Sequence, residues 1–166
     1  MKLLKKITSF ILILSVLVIA PTYTKKVHAQ TISTSTSQLY TIINRRTGKE
    51  LHNTADNRVV VYNGAGNSNM WYFVKSPDDP YSYKIVNLRT GLSLHNTSDN
   101  RVVTYADCGD SNDWILTGTS DSNYLQIVNV RTGLSLHNTS DDRVVTYDYC
   151  GDSNDWLLVP VYYTLN

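Results

Sequence analysis

The feature that most constrains this chain is a triplicated unit. Ile42–Phe73, Ile85–Leu116 and Ile127–Leu158 align over 32 positions without a gap. The second and third copies agree at 27 of these positions, and the first agrees with the second at 19. His52, His95 and His137 share one register, and Trp71, Trp114 and Trp156 share another. A period of about 42 residues restricts the fold to a solenoid, a propeller or a closed pseudo-symmetric body.

Each unit reads as short strands. In the second copy, Tyr83–Asn87 alternates and ends at the turn Arg89-Thr90-Gly91. Leu92–His95 alternates again, which places the leucines on one face and Ser93 and His95 on the other. Thr97–Asn100 is a polar turn, Val102–Tyr105 a third strand, Cys108–Asp113 a loop and Trp114–Thr117 a fourth strand. Composition agrees: Glu50 is the sole glutamate, whereas tyrosine occurs 12 times beside abundant Val, Ile and Thr. Propellers need roughly four or more blades. Three four-stranded units close instead as an all-β β-trefoil, a six-stranded barrel capped by three hairpins. Leu51, Leu94 and Leu136, with the three tryptophans, are its expected core. Tyr62, Tyr105 and Tyr147 are expected to pack inward, hydroxyls at the rim.

The N-terminus differs from the rest. Met1–Lys6 carries three lysines, an apolar run follows from Ile7 to Ala20, and Val27-His28-Ala29 offers a small-residue cleavage site. Residues 1–29 are therefore expected to be a secretory signal peptide, which predicts a secreted, extracellular protein with no membrane span in its mature form. The run is shorter than the roughly 20 apolar residues a span requires. Residues 30–38 read as a flexible polar lead, and 39–166 as the folded domain.

The three triplets Asn69-Met70-Trp71, Asn112-Asp113-Trp114 and Asn154-Asp155-Trp156 each follow a Val-x-Tyr strand. In this the chain resembles the ricin-B-type lectin family, whose units end in Gln-x-Trp. The resemblance spans Leu39 to about Tyr163 and implies a β-trefoil with a shallow carbohydrate pocket on each unit. The family's pocket aspartate is replaced by His52, His95 and His137, and its aromatic platform position falls on Asn63, Ala106 and Asp148.

Imidazole, amide and carboxylate groups together donate to and accept from vicinal hydroxyls, as sugar recognition requires. The candidate carbohydrate contacts are therefore His95, Asn96, Asp99 and Asn112 in unit two, and His137, Asn138, Asp141 and Asn154 in unit three. Unit one, with Asn63-Gly64-Ala65 and Met70, is expected to be silent. Competing structural roles are the aspartates as turn formers paired with Arg58, Arg101 and Arg143, and the asparagines of Asn-x-Trp as loop holders bonded to backbone.

A net charge of +1 and the lack of a basic stripe argue against nucleic acid. No unit has zinc-ligand spacing, no cofactor is implied, and identical residues repeated three times suit multivalent binding better than catalysis. Cys108 and Cys150 occupy equivalent loops held apart by pseudo-symmetry, so free thiols or intermolecular pairing are expected. Asn96-Thr97-Ser98 and Asn138-Thr139-Ser140 fit the glycosylation sequon. Two functions remain open: multivalent glycan recognition, alone or as a toxin's receptor-binding component, and a protein-binding trefoil such as a protease inhibitor or toxin-complex subunit.

Overall fold

The computed structural model describes residues 38–64 and 66–162. The expected signal peptide and nearly all of the polar lead lie outside the described residues.

Among the described residues twelve strands form, four per unit. Unit one contains β1 (Leu39–Asn44), β2 (Glu50–Asn53), β3 (Val59–Tyr62) and β4 (Trp71–Lys75). Unit two contains β5 (Ser82–Asn87), β6 (Ser93–Asn96), β7 (Val102–Tyr105) and β8 (Asp113–Gly118). Unit three contains β9 (Leu125–Asn129), β10 (Ser135–Asn138), β11 (Val144–Tyr147) and β12 (Trp156–Val161).

The pairing closes on itself. β1 pairs β4 and β12, β5 pairs β4 and β8, and β9 pairs β8 and β12, all antiparallel, so six strands make a barrel. The other six form the hairpins β2–β3, β6–β7 and β10–β11. Single bridges Arg58↔Val103, Arg101↔Val145 and Val60↔Arg143 join each hairpin to the next around the pseudo-three-fold axis. The fold is the expected β-trefoil.

Leu51, Leu94, Leu136, Trp71, Trp114 and Trp156 are fully buried, together with Ile42, Ile85, Ile127 and Phe73. Each indole also answers a polar need, because its Nε1 donates at 3.0 Å to the carbonyl of Leu51, Leu94 or Leu136. This single bond ties the closing strand of a unit to its hairpin. The turn after β1, β5 or β9 takes Gly48, Gly91 or Gly133 at φ near +67°, where a side chain would be strained.

Buried asparagines lock unit to unit. Asn53, Asn96 and Asn138 are wholly inaccessible. Asn96 Nδ2 donates to Asn129 Oδ1 and Thr132 Oγ1, and its Oδ1 accepts from Thr146 Oγ1 at 3.0 Å, all in unit three. Asn53 makes the same bonds to Asn87, Thr90 and Thr104 of unit two. Asn138 donates to Asn44 and Thr47 of unit one. Salt bridges add to this, one cluster within unit two and one bridge between units one and three. Lys84 is held by Asp107 at 2.6 Å and by buried Asp113 at 3.1 Å, and Arg45 meets buried Asp155 at 3.1 Å. Burial disfavours the Lys84 charge, but the two carboxylates outweigh it and raise its pKa.

Candidate functional site

Two-residue alternation builds the outer face of each hairpin. In β6, Leu94 points to the core, so His95 points out, half-buried. In β7, Val102 and Thr104 are buried, which sends Val103 and Tyr105 outward. His95 pairs with Val103, making Tyr105 its diagonal neighbour on the same face. The rings meet at 5.4 Å between centroids, tilted by 46°. The same pair recurs as His137–Tyr147 at 5.5 Å and His52–Tyr62 at 5.4 Å.

This arrangement corrects an expectation. Tyr62, Tyr105 and Tyr147 do not pack inward; they are 58, 57 and 56% exposed. Strand parity decides the matter, because each lies an odd step from the core residues Val59, Val102 or Val144. An outward aromatic surface therefore stands one residue before Asn63, Ala106 and Asp148.

The Asn-x-Trp loop supplies a buried partner to each histidine. Asn112 is fully buried, and its Oδ1 lies 3.2 Å from His95 Nδ1 and accepts the Cys108 amide N–H at 3.0 Å. Asn154 does the same for His137 Nδ1 at 3.3 Å and the Cys150 amide at 3.0 Å. The loop-holding role thus exists, and the same oxygen also orients the histidine. Cys108 and Cys150 are free and exposed beside these rings.

The structure divides the candidate residues. His95 with Asn112, and His137 with Asn154, come together within their units. Asn96 and Asn138 do not join them: both are fully buried at unit junctions, out of a ligand's reach. Their burial also closes both sequons in the folded chain. Asp99 and Asp141 stay at the hairpin tips. Asp99 accepts from Thr97 Oγ1 and from Arg101 Nε at 2.7 Å, and Asp141 accepts from Thr139 and pairs with Arg143. The threonine bond first, and the arginine with it, holds each carboxyl below its usual range. These aspartates are turn formers. Among the described residues no three His, Cys, Asp or Glu side chains gather in a metal-binding group.

Unit one keeps the ring pair, with His52 Nδ1 2.9 Å from Asn69 Oδ1. It differs at the rim, where Glu50 stands opposite Tyr62 in the strand register. Burial raises the Glu50 carboxyl, and Asn69 partly opposes the shift. A concavity lies on the pseudo-three-fold axis, where Val60, Val103 and Val145 are ringed by Arg58, Arg101 and Arg143.

Residues 67–147, from the last loop of unit one to the end of β11, match the ricin-type beta-trefoil lectin domain-like family. Over these residues the chain is similar to a ricin-type β-trefoil lectin-like domain. Among solved structures it is similar to the designed three-fold symmetric protein ThreeFoil, with 25% identity and a TM-score of 0.66 over 73% of this chain and 97% of that one. It is also similar to SeviL, solved with asialo-GM1 saccharide, at 21% identity and a TM-score of 0.66 over 75% of this chain and 98% of SeviL. A third similar structure is the GlcNAcα1-4Gal-releasing endo-β-galactosidase from Clostridium perfringens. There identity is 20% and the TM-score 0.67, over 76% of this chain and 33% of the enzyme. No curated protein sequence matches the chain.

Proposed function

We propose that this chain is a secreted carbohydrate-binding protein whose contacts are the clefts formed by His95, Tyr105 and Asn112 and by His137, Tyr147 and Asn154. The observation that carries the reading is the repeated outward pairing of a tyrosine ring with an imidazole over a buried asparagine. An exposed ring face suits the apolar C–H face of a pyranose, and the imidazole edge and phenol hydroxyl suit its hydroxyls. The ricin-type family match and the saccharide bound by SeviL support the same class of ligand. The charged start and short apolar run of residues 1–20 support secretion.

Single clefts this shallow bind weakly. Repetition compensates, because a second engagement on one surface is effectively intramolecular. Identity at 27 of 32 positions makes units two and three near-equivalent sites.

A glycan array tests the reading directly. Binding is expected, and it should be lost in the Tyr105→Ala, Tyr147→Ala double variant, whose substitutions lie on the exposed face and leave the core intact. A blank array from protein with native tryptophan fluorescence would sink the proposal.

A further inference from the structure

Cys108 and Cys150 carry groups that the glycan reading does not use. Cysteine retained for packing is buried and inert, yet both of these are exposed. Cys108 Sγ lies 3.3 Å from His95 Nδ1 and 3.1 Å from Asn112 Oδ1. Cys150 Sγ lies 3.5 Å from His137 Nδ1 and 3.1 Å from Asn154 Oδ1. Units two and three therefore each set an accessible thiol within hydrogen-bonding reach of an imidazole nitrogen, the pairing through which a base activates a thiol. Asn112 Oδ1 only accepts, so it takes the thiol S–H before the transfer and the Nδ1–H after it.

We propose that Cys108 and Cys150 are two sites of reversible S-thiolation, reacting with low-molecular-weight disulfides by thiol–disulfide exchange, with His95 and His137 as proton acceptors. The imidazole takes the Sγ proton, and the thiolate attacks one sulfur of the disulfide. The new protein–sulfur bond forms as the old S–S bond breaks, and the departing thiolate takes back a proton. One protein thiol and one disulfide thus give one mixed disulfide and one small thiol. The cysteine is oxidised and the leaving sulfur reduced. Unit one has Ala65 at the equivalent position and offers no such site. The reaction stands whether or not the cleft binds sugar.

The test treats the full chain with oxidised glutathione and follows intact mass, with peptide mapping to assign adducts. Two glutathionyl additions are expected, at Cys108 and Cys150, each faster in the folded chain than in urea. In a His95→Gln variant the amide still bonds to Asn112 but cannot act as the base. Cys108 should then slow by at least about tenfold, while Cys150 in the same molecule keeps its rate and reports intact folding. His137→Gln should reverse the pattern. Equal rates in folded and unfolded chains, or a Cys108 to Cys150 rate ratio unmoved by His95→Gln, would overturn the proposal. If Cys150 also falls to its unfolded rate, the variant has lost its fold. The Cys150→Ser variant, compared in urea and in buffer, then decides by the folded-state rate of Cys108.

Discussion

The inter-unit lock contains one imperfection, and repairing it should stabilise the fold. Thr104 Oγ1 donates to Asn53 Oδ1 and Thr146 Oγ1 donates to Asn96 Oδ1, each at 3.0 Å. The third position of this set is Val61. Its amide bonds to Asp142 O at 2.9 Å, just as Thr104 and Thr146 bond to Asn57 and Asn100. Valine has no hydroxyl, and Asn138 Oδ1 is buried without a hydrogen-bond partner. Val61→Thr keeps the shape and supplies the missing donor. Losing a buried methyl costs about 1 kcal/mol, and satisfying a buried acceptor returns about 1–3 kcal/mol. A net gain of about 1 kcal/mol follows, or roughly 4 °C in Tm for a domain of this size. Urea unfolding, read by the fluorescence of the three buried tryptophans, measures it through a higher midpoint at unchanged slope. The gain should vanish in an Asn138→Ala background, because the hydroxyl then has no partner. A destabilisation exceeding about 1 kcal/mol, or a gain that survives Asn138→Ala, would refute the reasoning.

Asn96→Ala should cost about 2–4 kcal/mol, since three bonds break and their partners stay buried; urea unfolding measures that cost. Glycan affinity per folded molecule should not change, which direct titration would show. Lys84→Ala should cost about 3 kcal/mol at neutral pH by leaving the buried Asp113 carboxylate unpaired, again read by urea midpoint. On acidification the fold should lose stability. Asp56, Asp99 and Asp141, bonded to their threonines, and Asp107, bonded to Lys84, lie below the ordinary 3.8. Their contribution is present above that value and disappears as pH falls through the lowered ones. Asp155, raised chiefly by burial, works in the opposite direction and offsets part of the loss. Urea midpoints at neutral pH and near pH 3 compare the two.

The fold was legible because its signals were periodic. Trp71, Trp114 and Trp156 in register, with Leu51, Leu94 and Leu136 two strands earlier, define the barrel and its hairpins before any coordinates are known. The strands of unit two fall within about a residue of their expected bounds. The site was half legible. His95 and His137 emerge from Leu-x-Leu-His parity, and the same rule applied to Val102-Val103-Thr104-Tyr105 puts the tyrosine outside. The expectation that the tyrosines pack inward ran against that parity. Asn96 and Asn138 could not be placed from sequence, because their partners Asn129, Thr146, Asn44 and Thr47 lie 33 to 94 residues away. The thiols were foreseen as unbridged within the chain, in keeping with two free cysteines. Their approach to the histidine rings depends on how the Cys108–Asp113 loop folds back, which no local pattern encodes.

The central claim is that the outward His–Tyr clefts are where sugar binds. The most direct measurement is an NMR titration with the oligosaccharide that the array ranks highest, following the ring protons of every histidine and tyrosine. The account predicts saturable shifts at His95, Tyr105, His137 and Tyr147, with the buried Trp114 and Trp156 indoles little changed. Shifts confined to the axial concavity around Val60, Val103 and Val145, with the ring pairs unmoved, would contradict it.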